Sequence, residues 1–466
     1  MTQIASPDVR TLRATMTGPV LVPGDPDYDW ARIVWNGAID GRPGVIAQAE
    51  SPADVRAAVL YAQQHGLEIA VRGGAHSTGG ASTVHDGLVV DLSRMRSVTV
   101  DPVARRATVG GGATLGDKDV ATQAHGLAST GGIVSHTGVG GIALVGGMGW
   151  LTRLSGLALD AVVAAEVVTA DGSILRADEN HHADLFWALR GGGGNFGVVT
   201  EFEFALQEVG PVIQFGFCFW GLEQGPEVLC LARDVVATMP DSVNIIVAGV
   251  HAPPAPFVPA QHQLQPGYAM LVAGFGAEEE HDDVMARLRS GVNPLFEMVT
   301  PMPYVQLQQL FDEANPFGMW AYDKGMQLGA LTDEVIAVIT EHVPRKASPD
   351  SALFLYRLDR AYSEVSDDET AFAAGRSPRY QAFLIGATTS ADGFEGEGDW
   401  VKAFWEALRP HGLSAGTYLN AEADVTRAEV RASYGSKLER LARIKATYDP
   451  GNVFHRNANI LPAPLG

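Results

Sequence analysis

The N-terminal part of the chain alternates between two hydrophobic periods. Val55, Ala58, Val59 and Ala62 recur at i, i+3, i+4 and i+7, which predicts a helix. Ser51 supplies its cap, Pro52 its first residue, Asp54 the acid of its first turn, and Gly66 its end. Leu67, Ile69 and Val71 then alternate with Glu68 and Ala70, a strand that runs into Gly73 and Gly74. L-V-V-D-L at 88–92 reads as another strand, residues 97–101 and 105–109 as a hairpin about D-P-V-A, and 114–125 as a helix. Residues 130–150 form the longest glycine-punctuated loop. A strand, a D-G turn and a strand occupy 162–176, and after the loop G-G-G-G-N-F-G at 191–197 the alternation V-V-T-E-F-E-F closes this half.

The texture changes after about residue 208. Strands are expected near 211–220, 243–251, 268–275, 320–328, 352–359 and 380–388, and amphipathic helices near 225–238, 278–290, 332–344 and 398–411. Two proline-rich stretches, 252–260 and 293–304, read as loops. Antiparallel strands with helices on one face make this an α+β domain. A last helix is expected over 426–447, ended by Tyr448-Asp449-Pro450-Gly451-Asn452.

At 466 residues, 46% of them hydrophobic, the chain has material for about three domains, or two large ones, around substantial cores. Its 53 glycines exceed the usual share of about 7% and cluster in 72–149 and 191–197 without a repeat, as tight loops around a ligand do. The net charge of −21 repels phosphate backbones and anionic lipid, so neither nucleic acid nor a membrane surface is an expected partner. Cys218 and Cys230 have no metal-ligand spacing and form no disulfide framework. The opening M-T-Q-I-A-S-P-D-V-R has no apolar leader pattern, and the chain reads as cytoplasmic.

Paired glycines after a strand let the backbone approach a ligand with no Cβ in the way, and in V-R-G-G-A-H-S the N–H groups around Ser77 can form an anion-binding concavity. A nicotinamide-type G-x-G-x-x-G needs a strand before it, and G-V-G-G-I-A-L follows none. His136 and His125 lack a second ligand at i+3 or i+4, so no metal is expected. His181 and His182 lie in a polar loop and read as solvated.

These pieces together resemble the berberine bridge enzyme-like branch of the vanillyl-alcohol-oxidase (PCMH-type) flavoprotein superfamily. The resemblance is carried by V-R-G-G-A-H-S (71–77), S-H-T-G-V-G-G (135–141), G-G-M-G-W-L-T-R-L-S-G-L (146–157), D-L-F-W-A-L-R-G-G-G-G-N-F-G-V-V-T (184–200), and Y-G-S-K-L-E-R-L-A-R-I-K-A-T-Y-D-P-G-N-V-F (434–454) with N-I-L-P (459–462). S-H-T-G and I-V-W-N-G-A-I-D-G-R-P (33–43) bring it closest to bacterial enzymes that oxidise polyketide or other aromatic natural products. The resemblance implies a two-part FAD domain, 1–208 plus 417–466, and a substrate domain, 209–416. It implies FAD joined through its 8α-methyl group to His76, with the pyrophosphate on Arg72, Gly73, Gly74, Ala75, His76 and Ser77. Ser82 is placed in the same cofactor site. The adenine side is expected near Gly197 and Val199. The isoalloxazine is expected under Val134, His136, Thr137, Gly138, Gly140 and Gly141, with Tyr418 and Asn420 at its far edge.

Three positions depart from the family. Val134 stands where many relatives carry a cysteine that makes a second flavin bond, so a single link through His76 is expected. Phe354 stands where relatives often have an acidic base, and Ala421 where many plant members have a tyrosine. Candidate bases are therefore Tyr356, on the same strand face as Phe354, then Tyr322 and Asp359. A tyrosine base would need a cation, and Lys324 or Arg357 could supply it. Substrate activation without a protein base is the other route, open to an acidic β-dicarbonyl or phenol. Thr137 lies at the family's oxygen gate, where a hydroxyl can hydrogen-bond oxygen held at the flavin. The implied activity is oxidation of an aromatic or polyketide-like alcohol or phenol, with O2 giving H2O2 and an oxygenated flavin within reach. The alternatives are an oligosaccharide C1 oxidase and a flavin-bearing binding protein without turnover. Oligomeric state is left open.

Overall fold

The computed structural model describes residues 8–413 and 416–464. Most of the opening segment, residues 414–415 beside the expected domain boundary, and 465–466 lie outside the described residues.

Among the described residues three large sheets and one two-stranded pair, Leu127–Ala128 with Gln207–Glu208, build the molecule. The first holds Val20–Leu21, Val45–Gln48, Leu88–Asp91 and Ile69–Arg72 in that order, its last three strands parallel. Pro52–Gln64 is the crossover helix that parallel pairing demands, and Ser51 Oγ accepts the Asp54 N–H at 3.2 Å as its cap. The second sheet is antiparallel, in the order Val98–Asp101, Arg106–Gly110, Val198–Ala205, Val162–Val168, Ile174–Asp178. Val430, Tyr434, Leu441, Ile444 and Ile460 pack into the core beneath this second sheet, so the chain's last stretch returns to its N-terminal half.

The third sheet has seven antiparallel strands, ordered Phe296–Pro303, Val212–Gly221, Pro266–Gly274, Val243–His251, Ala352–Leu358, Arg379–Thr388, Trp320–Leu328. Gly225–Val236, Glu278–Gly291, Asp333–His342 and Phe394–Leu408 cover one face. The other face, carrying Phe215, Phe217, Ile246, Leu271 and Tyr356, packs on Trp150, Leu151 and Leu157 of the N-terminal half. A sheet buried on both faces explains why its strands read as nearly continuous apolar runs.

Three expectations are corrected. Phe296–Pro303, read as part of a proline-rich loop, is an edge strand; Pro301 and Pro303 are tolerated there because an edge strand has only one neighbour to bond. The single helix over 426–447 is two, Arg427–Tyr434 and Lys437–Tyr448, broken at Gly435, whose φ of 51° no helix accommodates. The glycine-rich stretch 130–150 contains a helix, Val139–Val145. Among the described residues, no helix is long and apolar enough to cross a membrane.

Candidate active site

Two glycine loops cross at the centre of the molecule. The strand Ile69–Arg72 delivers Gly73 and Gly74, and a Cβ on Gly74 would lie 2.6 Å from the Gly138 Cα and closer still to its nitrogen. Cβ atoms on Gly73 and Gly140 would each meet the Gly111 carbonyl, at 3.3 and 3.2 Å, and Gly111 also abuts the Val199 carbonyl. The crossing therefore brings together Gly73, Gly74, Gly138, Gly140 and Val199, which are scattered along the chain. Ala75 follows at φ 59°, a left-handed conformation that costs a residue with a Cβ about 1–2 kcal/mol. Its carbonyl is held by the Trp35 N–H at 3.0 Å.

This turn aims His76 at His136. The His76 Nε2 and His136 Nδ1 atoms are 2.6 Å apart, Trp35 stacks on the His76 ring at 5.2 Å, and Phe317 lies edge-on to it at 5.8 Å. Burial, and then the His136 ring, push the His76 imidazolium down to about 3, so the ring is neutral at pH 7. The loop bearing His136 is clamped on both sides: the Ser135 N–H and hydroxyl donate to Asp312 at 2.7 and 2.5 Å, while the Ser135 and Thr137 carbonyls accept from Gly116 and Leu115.

The same loop is suited to an anion. Among the described residues, no backbone N–H of 73–79 finds an acceptor, which leaves a run of donors available to an anion. Arg72 Nε and Nη2 and Ser82 Oγ are sealed from solvent without a partner. Gly197 opens the strand that carries Val199. Tyr418 Oη accepts from the Gly147 N–H at 2.9 Å and from Asn420 Nδ2 at 3.2 Å, tying the C-terminal stretch to the helix Val139–Val145 and the turn after it. Free N–H groups beside a neutral histidine suit a pyrophosphate-bearing cofactor with an electrophilic carbon near that ring.

Phe354, Tyr356 and Phe383 of the third sheet form an aromatic wall with Phe311 and Tyr418, which lie outside its strands. Phe311 and Phe354 meet edge-to-face at 5.6 Å, Tyr356 and Phe383 at 5.2 Å, and Phe383 and Tyr418 at 6.0 Å. Tyr356 shares its strand face with Phe354. Burial, and then Tyr418, push its phenol far above the ordinary value, and its hydroxyl bonds to none of the described residues. The expected cation partners point elsewhere. Lys324 pairs with Glu422 at 3.0 Å and Asp424 at 3.2 Å, and Arg357 pairs with Asp359 at 2.8 Å and stacks on Tyr380. Neither cation pairs with Tyr356, and burial keeps its phenol neutral. Tyr322 lies away from Tyr356 and Phe354, on the sheet's other face. It shares a face with Met326 and Leu328, which pack against the helices, and its hydroxyl bonds Asp424 at 3.1 Å. Asp359 is engaged by Arg153 and Arg357. Cys218 and Cys230 lie in or against the helix-side core, on the sheet's opposite face.

Sequence reasoning missed Asp323, Trp35 and Asn36. The motif containing I-V-W-N-G was visible, but its task was not: Asn36 Nδ2 donates to the Thr78 and Ala321 carbonyls at 2.7 and 2.8 Å, joining the His76 loop to the third sheet. Asp323 accepts the Thr78 hydroxyl at 2.8 Å, and its Oδ1 is sealed without a partner. Burial raises its carboxyl to about 6 against the pull of Thr78, so the native state holds a proton there more tightly than the unfolded chain. Stability therefore falls as pH rises from about 4 to 6 and stays lower above. Asp323→Asn keeps an acceptor for Thr78 and removes that charge. It should stabilise the protein by about 1–3 kcal/mol at pH 7.5 and by much less at pH 4.5, read from thermal melts at the two pH values.

The fold and site define an FAD-binding oxidoreductase, and the comparisons agree. A family model described as FAD binding domain matches residues 43–178, and one described as berberine and berberine like matches 417–461. The chain is 30% identical over 457 residues to (R)-6-hydroxynicotine oxidase of Paenarthrobacter nicotinovorans, covering 96% of this chain and 97% of that one. It is 29% identical to the xylooligosaccharide oxidase of Thermothelomyces thermophilus, over 92% and 90% of the two. The crystal structure of 6-hydroxy-D-nicotine oxidase from Arthrobacter nicotinovorans superposes with a TM-score of 0.85 at 29% identity, over 96% and 98% of the two chains. The protein belongs to the berberine bridge enzyme-like FAD-linked oxidoreductases of the vanillyl-alcohol-oxidase superfamily.

Proposed function

We propose that the enzyme is an oxidase that takes a hydride from an apolar aromatic or polyketide-like alcohol or phenol to FAD carried covalently on His76 alone, and hands the electrons to O2 to give H2O2. The observation that carries the substrate class is the wall of Phe311, Phe354, Tyr356, Phe383 and Tyr418, which offers rings and phenols and no carboxylate. An oligosaccharide would want acids or amides there, which makes the sugar oxidase the weaker reading. The single link is supported by Val134 and by the two cysteines, Cys218 in the helix-side core and Cys230 on a helix packed against it. FAD, when bound, supplies the hydride acceptor and the reductant for O2. Residues 73–79 would hold its phosphates by their N–H groups, and Gly138, Gly140, Gly141, Gly197, Val199, Tyr418 and Asn420 would line the rest of its site.

The protein's own groups then position the substrate. Tyr356, kept neutral by burial, donates its O–H to a substrate oxygen, and the substrate's acidity supplies the proton loss that no protein base assists. This favours phenols and β-dicarbonyls over simple alcohols. Thr137 makes no hydrogen bond through its hydroxyl to the described residues, so that group is free to bond oxygen. The test is peroxide release on adding aromatic alcohols, phenols and oligosaccharides in air. Peroxide with the aromatic set supports the reading, and peroxide with sugars alone overturns it. Thr137→Leu should slow reoxidation by O2 about tenfold in stopped flow, the worth of one hydrogen bond, and an unchanged rate would discard the role given to Thr137.

A further inference from the structure

The contact between His76 and His136 has no role in holding phosphates or substrate, yet it is a short polar contact between a half-buried ring and its neighbour. His76 Nε2 lies 2.6 Å from His136 Nδ1, whereas His76 Nδ1 has no partner among the described residues and is not sealed in protein. Trp35 stacked on one face and Phe317 at the edge fix the ring plane. A nitrogen that attacks carbon must present a lone pair, so it cannot be the one engaged at 2.6 Å. A neutral imidazole with a free lone pair on Nδ1 carries its proton on Nε2. That proton faces His136 Nδ1, and no other acceptor among the described residues lies within hydrogen-bonding distance of it.

We infer that His136 is the residue that activates His76 for flavin attachment, holding the tautomer with the lone pair on Nδ1 and accepting the Nε2 proton as the bond to the 8α-carbon forms. The inference rests on the reading that His76 carries the flavin. In the reaction one C–H bond of the 8α-methyl group breaks and one N–C bond to His76 Nδ1 forms. The C–H electron pair passes into the ring system, which is left reduced by two electrons. The C–H proton and the imidazole proton are both released, the second through His136. Molecular oxygen then takes up the two electrons and two protons as H2O2, leaving oxidised, attached FAD. The neutrality of His76 at pH 7 is what leaves a lone pair to attack. The carbonyls of Ser135 and Thr137 and the side chain of Asp312 hold the acceptor still, so its placement belongs to the fold.

The test uses full-length protein, with FAD added and the covalently loaded fraction followed by intact-mass spectrometry after acid denaturation. Wild type should be fully loaded. His136→Ala and His136→Asn should bind FAD that acid releases, and should form the bond about 100-fold more slowly, as expected for loss of a general base. Added imidazole should restore attachment in His136→Ala, an effect that a merely structural role would not produce, and should not restore it in His76→Ala. Attachment in both His136 variants at the wild-type rate would overturn the inference and leave the His76 reading intact. A His136→Asn protein that folds but holds no FAD would make His136 a binding residue and also overturn it. Wild type without attached flavin would end both.

Discussion

Gly74→Ala should strip the enzyme of its cofactor while leaving its two large cores folded. A methyl group there would sit 2.6 Å from the Gly138 Cα, so the loops bearing His76 and His136 must move apart. Backbone cannot give way as a flexible side chain does. Forcing such a contact costs about 1–3 kcal/mol, and here the displacement falls on the two rings that must meet at 2.6 Å. The expected result is a purified protein with normal far-UV dichroism, a lowered melting temperature and flavin absorbance at a small fraction of wild type. Gly396→Ala is the control. That glycine lies on the exposed side of the helix Phe394–Leu408 with nothing near its Cβ position, and alanine should help the helix by about 0.5–1 kcal/mol without touching flavin content. Full flavin in Gly74→Ala would mean the crossing does not govern the site.

Asp359→Ala should be the most destabilising single change at the join between the two halves. Arg153 reaches from the helix Thr152–Ser155 of the N-terminal half to Asp359, 2.6 Å away beyond the end of the strand Ala352–Leu358, with side chains 1% and 10% exposed. The guanidinium also donates to the Pro240 carbonyl at 3.0 Å and to that of Val243. Burial pushes the Asp359 carboxyl up, but Arg153 and Arg357 outweigh it and hold the group below its ordinary value. Removing the acid leaves a buried cation with carbonyls alone, at a cost of about 3–5 kcal/mol. Since the pair joins the helix Thr152–Ser155 to the strand that carries Phe354 and Tyr356, turnover should fall as well. Replacing both partners with leucine should recover much of the stability, because the desolvation of two charges is removed with them. A denaturation series on the singles and the double measures this directly, and a loss below about 1 kcal/mol for Asp359→Ala would show the pair to be ornamental.

The helices and strands with one clear period were legible from residues alone. Ser51 and Pro52 announce their helix, and the runs 243–251 and 320–328 coincide with observed strands. The edge strand Phe296–Pro303 was illegible because proline weighs against a strand unless one knows it has a single neighbour. His76 and its glycines stood out because closely packed backbone leaves a compositional trace. Tyr322 misled because alternation says that residues share a face without saying which face meets the other half of the molecule. Trp35, Asn36, Gly111 and Asp323 act through contacts between segments far apart in the chain, so no local pattern could rank them.

The central claim is that one imidazole, His76, holds FAD permanently. Wild-type protein and His76→Ala should be precipitated in acid side by side and their pellets and supernatants read at the flavin absorbance band. Yellow is expected in the wild-type pellet alone, with any flavin of His76→Ala released to the supernatant. A wild-type pellet without colour, or a His76→Ala pellet as yellow as wild type, would contradict it.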